Sequence, residues 1–331
     1  MTDLLSDSEY IVDVLPELWF GLVIFALGGY LLLDGFDFGL GILYADADDE
    51  ERETMLAAFG PLWKANEVWL VLFGTVLFAA FPRVYANLLS RHYLLAFAIV
   101  FALSIRGLGS KLREEKDDET WVRFWDACFV AGSAFSPLLL GMFAASWVLG
   151  EPSALAPAPI VVGLTLVALS VVLGAAFLGV KTEGQLRETA ARRGRIATGV
   201  YLALFVLTAA ALYTLYPDLR PVVASAPTLL VVAVTVAAAA AFVYASLWER
   251  YRLAVGSAGL VAAAFVAFIA YLLYPSVDPA AELTIADAVV SPLALNVTSI
   301  FAAIFIPLIL GYFVTLYSVF SGPPRESDHY G

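Results

Sequence analysis

Asp34 and Asp37 stand three residues apart in LLLDGFDFGLG, a stretch otherwise apolar and rich in glycine. Positions i and i+3 share one helical face, and at 1.5 Å per residue Asp34 lies about 13 Å from the end of its apolar run. Ionisable groups at such a depth in a bilayer are costly and face a protein interior, a partner or a water-filled path. Glu67, Arg106 and Asp126 fall near the ends of later apolar runs, on the same side as the end of the first. Four acids with one arginine suit a proton intake or a pocket for a quinone head group. The same residues also suit a packing salt bridge, or helix-end side chains that snorkel to the interface.

Other chemistry lacks its residues. The chain has two histidines, His92 and His329, one cysteine, Cys128, and three methionines, Met1, Met55 and Met142. Facing haem ligands, a zinc motif and a P-loop are missing from this inventory, so no metal site is expected. His92 reads as an interfacial residue. With 30 acidic and 18 basic residues the net charge is −12, and a nucleic-acid partner has no electrostatic footprint.

The elements that must hold these residues are membrane helices. Of 331 residues 61% are hydrophobic and 15% charged, with a mean hydropathy of +0.86, which excludes an ordinary soluble domain. Apolar runs near 18–43, 67–88, 91–109, 122–149, 158–180, 196–216, 225–247, 253–274 and 293–319 each have the length of a span. Lys and Arg alternate between their loops. The loops after the first, third, fifth and seventh spans hold Arg52, Lys64, Lys111, Arg113, Lys116, Lys181, Arg187, Arg192, Arg193, Arg195, Arg250 and Arg252, while the other set offers Arg91 and Arg220. By the positive-inside rule the N-terminus lies outside and the C-terminus in the cytoplasm. The acidic N-terminal stretch lacks the basic region of a cleavable signal, so residues 1–331 read as a single polytopic membrane domain. Gly35 and Gly39 have the GxxxG spacing that permits close helix contact.

DGFDFGLGIL at 34–43, GPLWKANEVWL at 60–70, LFAAFPRVYA at 77–86 and the Arg106 region resemble subunit II of the cytochrome bd-type quinol oxidases. WDACFVAGSAFSPLLLGM at 125–142, LGVKTEGQL at 178–186, LTIADAVVSPLALNV and IPLILGY extend the resemblance, in order, over nearly the whole chain.

The resemblance implies an all-α integral membrane protein with about nine transmembrane helices, arranged as two four-helix bundles plus a peripheral helix. It implies a multi-pass subunit in the plasma membrane, part of an electrogenic oxidase of aerobic respiration that oxidises membrane quinol and reduces dioxygen to water with protons from the cytoplasm. Haem-bearing subunit I would carry two b-type haems and a d-type or third b-type haem, and dioxygen would react there. This chain would bind no haem and would not be catalytic alone, although some members of the family hold a structural quinone. The family's DGFD acids fall on Asp34 and Asp37, its tryptophan in PxWDGN on Trp63, and its arginine at the end of the third span on Arg106. Lys64 stands where the family commonly has aspartate, and a lysine is no anionic relay at neutral pH unless its pKa is strongly depressed. The departure shifts a proton route toward Glu67 and leaves open the cyanide-insensitive branch. The competing reading is a proton- or ion-coupled secondary transporter, whose inverted repeats and broken midplane helices are not evident.

Overall fold

A computed structural model describes residues 9–320. Its long helices follow the apolar runs, because inside a bilayer a helix satisfies its own backbone hydrogen bonds. The first, α1, covers Leu15–Leu43 and carries Pro16 in its first turn, where a missing N–H costs nothing. A short helix, α2 (Asp49–Phe59), opens with a reciprocal capping box between Asp48 and Glu51 and meets α3 (Trp63–Ala80) at a bend of 50°. Pro82 then begins α4 (Pro82–Arg91), and α5 (Tyr93–Leu112) follows at His92. The run expected as one span over 67–88 is therefore broken at Phe81. A proline that lacks a donor ends α3 there, although hydropathy stays apolar up to the break.

Asp118 caps α6 (Glu119–Leu149), its carboxylate accepting from the Trp121 N–H at 2.8 Å, and Gly150 closes that helix in the left-handed region at φ 63°. The later helices are α7 (Pro157–Lys181), α8 (Gly184–Leu215), the single turn α9 (Arg220–Val223), α10 (Ala226–Leu247) and α11 (Tyr251–Leu273). A small antiparallel pair, β1 (Ser276–Asp278) and β2 (Leu283–Thr284), leads through α12 (Ile285–Ala288) to α13 (Pro292–Val319). Among the described residues eight helices are long and apolar enough to cross a membrane, or nine if α2 and α3 together form one span.

Helix α1 is the hub, packing on α3, α6, α7 and α11. Together α1, α3, α5 and α6 form one group, and α7, α8, α10 and α11 a second, joined through α1 against α7 and α6 against α7. At the α1–α7 crossing the GxxxG glycine has its use: a Cβ on Gly39 would fall 1.8 Å from the carbonyl oxygen of Ser170. Helix α13 stands outside both groups, resting mainly on α3. It is keyed by polar contacts instead. Asn296 accepts from the Ile11 N–H and donates to the Glu9 carbonyl, each at 3.0 Å, and the Trp19 indole donates to Ser299 Oγ at 2.8 Å.

At the end opposite the basic loops, buried Asp278 accepts from Arg91 at 3.1 Å and from Asn87 at 2.9 Å, clamping α4 to the β1–β2 turn. The Trp147 indole donates to the Val277 carbonyl at 2.8 Å. Burial, aided by the Arg91 charge, holds the His92 imidazole below its ordinary pKa. Asp278→Asn removes the charge that these donors share. Hydrogen bonds to charged groups carry about 1.5–3 kcal/mol, so the expected result is a lower Tm of the purified protein in detergent, with a turn more open to proteolysis near residue 278.

Candidate functional site

The late turns of α1 bring Tyr30, Asp34, Asp37 and Phe38 together, all buried. Arg106 comes from the last third of α5 and is fully buried. It reaches α1 because α6 lies tightly behind it: a Cβ on Gly132 would sit 2.6 Å from the Arg106 backbone nitrogen. The Arg106 Nη2 atom lies 2.8 Å from Asp34 Oδ1 and 2.8 Å from Glu67 Oε1, and its guanidinium sits 4.6 Å from the centre of the Phe38 ring. One cation thus links carboxylates from two helices over an aromatic face, a geometry that delocalised guanidinium suits better than ammonium.

Asp37 is held differently. Asn66 on α3 donates to Asp37 Oδ2 at 2.9 Å and to the Leu33 carbonyl at 3.2 Å, and its own Oδ1 accepts from the Tyr317 hydroxyl of α13 at 2.9 Å. Asp37 Oδ1, Arg106 Nε and Arg106 Nη1 are buried without a hydrogen-bond partner. Buried groups of this kind carry spare hydrogen-bonding capacity that ordered water commonly takes up. Glu67 differs from the two aspartates in exposure: its side chain is 32% accessible, against none for Asp34 and Arg106.

Asp34, Asp37, Glu67 and Arg106 therefore share one node, and Asp126 does not. It lies in a second cluster at the basic end, accepting from the Tyr44 hydroxyl at 2.5 Å and from Arg113 at 2.8 Å, with Arg52 at 3.4 Å. Trp63 is buried and stacked on Phe59, the ring centres 5.6 Å apart. Lys64 is exposed, its ammonium 5.8 Å from the Trp63 ring, and it makes no ion pair within the node. Sequence reasoning missed Asn66 and Tyr317, which join the node, and the partners of Asp126: Tyr44, which donates to it, and Arg52 and Arg113, which neutralise it. An amide within an apolar run was the available signal for Asn66; a tyrosine near a helix end carries none.

Among the described residues no three His, Cys, Asp or Glu side chains gather as a metal site. His92 is buried against Phe143, its ring T-shaped at 6.1 Å. Between α1, α3, α4, α5 and α6 lies a cavity of about 290 Å³ whose walls, including Leu31, Phe73 and Ile99, are largely apolar.

The chain matches the family described as "Cytochrome bd terminal oxidase subunit II" over residues 15–320. It is 29% identical to cytochrome bd ubiquinol oxidase subunit 2 of Bacillus subtilis, covering 92% of this chain and 96% of that one. Identity to cytochrome bd-I ubiquinol oxidase subunit 2 of Escherichia coli K12 is 26%, over 96% and 97% of the two chains. A chain of the bd oxidase from Geobacillus thermodenitrificans superposes with a TM-score of 0.72 at 19% identity, covering 92% of this chain and 98% of that one. The fold is thereby shared with that chain.

Proposed function

The chain belongs to the cytochrome bd terminal oxidase subunit II family, and from that premise we propose that it is the haem-free partner of a haem-bearing subunit I in a membrane quinol:oxygen oxidoreductase. It is a multi-pass protein of the plasma membrane. The observation that carries the reading is the family match over residues 15–320. The membrane node is compatible with it, since four ionisable side chains gathered at bilayer depth are a functional site by default. In this reading subunit I would hold the haems, and these would supply the chemistry of quinol oxidation and dioxygen reduction. This chain completes the complex, and its N-terminus faces outward with the basic loops in the cytoplasm.

Asp34, Asp37, Glu67 and Arg106 are proposed to hold and pass protons drawn from the cytoplasm, with partly accessible Glu67 as the way in. Arg106 balances the charge of whichever acid is ionised, and Asn66 keeps Asp37 turned toward the node. Trp63 shapes the inner end of α3, and Asp126 ties α6 to the loop cations. The largely apolar cavity fits the hydrocarbon tail of a structural quinone, with Leu31, Phe73 and Ile99 among the residues that would line it.

The test is to tag this chain, solubilise it gently from its own membrane, and record a reduced-minus-oxidised haem spectrum with quinol-dependent oxygen uptake. Haem and uptake arriving together on a second, larger subunit is the expected result. A folded, colourless, partner-free preparation would favour the transporter reading. Asp37→Asn should slow quinol-dependent uptake about tenfold or more at unchanged haem content, as expected when a positioned proton carrier is lost, whereas Asp126→Asn should do less. Lys64→Asp should leave turnover and its pH dependence as they are, because Lys64 is exposed and makes no ion pair within the node. An altered pH profile in that variant would return position 64 to the proton route.

A further inference from the structure

A cleft of about 660 Å³ opens at the basic end between the second helix group and α13. Its floor is apolar: Phe36 of α1 and Phe177 of α7 stack with ring centres 5.7 Å apart, beside Val255 and Tyr317. Its rim carries Lys181, Arg187 and Arg252 against Glu249, with Glu183 4.0 Å from the Arg187 guanidinium. Arg187 is fixed there, donating through Nε to the Thr182 carbonyl at 2.5 Å with its guanidinium 4.9 Å from the Tyr251 ring. The Lys181 ammonium lies 5.6 Å from the Phe177 ring and donates to the Phe320 carbonyl. An adjoining hollow adds Arg192 and Arg195 with Glu188, so the two together present five cations against three acids, Glu183 included. In a chain of net charge −12 this is a local reversal of sign.

Charge sits over hydrocarbon here in the order in which a membrane presents them. Helix α13 leaves a lateral opening, because it packs mainly on α3 and most of its apolar surface is exposed. We propose that this cleft binds an anionic glycerophospholipid, its phosphate on the Arg187 and Arg252 side of the rim and one acyl chain on the Phe36–Phe177 floor along α13. Guanidinium groups pair with phosphate oxygens through parallel hydrogen bonds, and basic pockets between transmembrane helices recognise anionic head groups. A free anion would have no use for the aromatic floor, and a zwitterionic lipid would gain little from a rim of net positive charge. The leaflet, cytoplasmic, rests on the orientation proposed above; the head-group chemistry does not.

The experiment is native mass spectrometry of the purified complex after exchange into nanodiscs of phosphatidylglycerol or phosphatidylcholine. It reads retained lipid and needs no turnover, so it stands whether or not the oxidase reading holds. Expected is selective retention of phosphatidylglycerol, reduced about fivefold in Arg252→Gln and about twenty- to thirtyfold in the Arg187→Gln/Arg252→Gln pair. Equal retention of both lipids, or phosphatidylglycerol binding untouched in the pair, would overturn the proposal. A chain lacking residues 322–331 separates the other occupant: lipid retained only after that deletion would make the tail the ligand of the cleft and overturn the lipid assignment, and unchanged retention would support it. Should the pair fail to fold, Arg252→Gln alone, on the first turn of α11, carries the test.

Discussion

Arg106→Leu is expected to reduce the amount of this chain in membranes to a small fraction of the wild-type level. The substitution leaves Asp34 with no cation in a site closed to solvent and deprives Glu67 of its 2.8 Å partner. Removing one member of a buried ion pair costs about 3–5 kcal/mol, a large part of the roughly 5–15 kcal/mol by which proteins are stable. Quantitative immunoblotting of the membrane fraction reads the effect. The double variant Arg106→Leu/Asp34→Leu separates charge balance from proton chemistry, because replacing both partners by apolar groups is often neutral. It should accumulate better than the single variant while oxygen uptake stays low. Wild-type accumulation of Arg106→Leu would show that the pair does not hold the bundle together.

Gly39→Ala is the second large effect, and its cause is steric. The new methyl would meet the Ser170 carbonyl oxygen at 1.8 Å and the Gly174 nitrogen at 2.7 Å, both backbone atoms that no rotamer change can move. Helices α1 and α7 would have to separate, loosening the junction of the two helix groups. Overpacking costs about 1–3 kcal/mol, and more where backbone must shift. Gly35→Ala is the internal control: its methyl meets only Leu173 Cδ1, at 2.7 Å, the end of a side chain that can rotate. A Tm drop several times larger at Gly39 than at Gly35 is expected, and equal drops would count against the close crossing.

Hydropathy made the long helices legible because a bilayer punishes polar interruption, and the glycine spacing at 35 and 39 pointed to a close crossing because residues without side chains let two backbones approach. It left the break at Phe81 hidden, since apolar residues flank it and the interruption is a matter of proline geometry. Depth could be read for each charged residue from its distance to a helix end. Direction around the helix could not, and Asp126 shows the cost: expected beside Asp34 and Asp37, it faces Arg52 and Arg113 instead of Arg106. Asn66 and Tyr317 were out of reach because their contact joins residues 251 positions apart, and no local pattern records such a meeting.

The sparse seating of α13 bears on how the chain is made. It leaves the ribosome after the other described helices, by which time Glu9, Ile11, Trp19 and Asn66 have already been synthesised. Its Asn296, Ser299 and Tyr317 must each find one of those earlier residues, two near one membrane surface and one near the other. A helix that lacks broad apolar packing docks only when these separate positions line up together. Helix α13 thus inspects the placement of α1 and α3, and a bundle with α1 set at the wrong height is left with α13 unlatched.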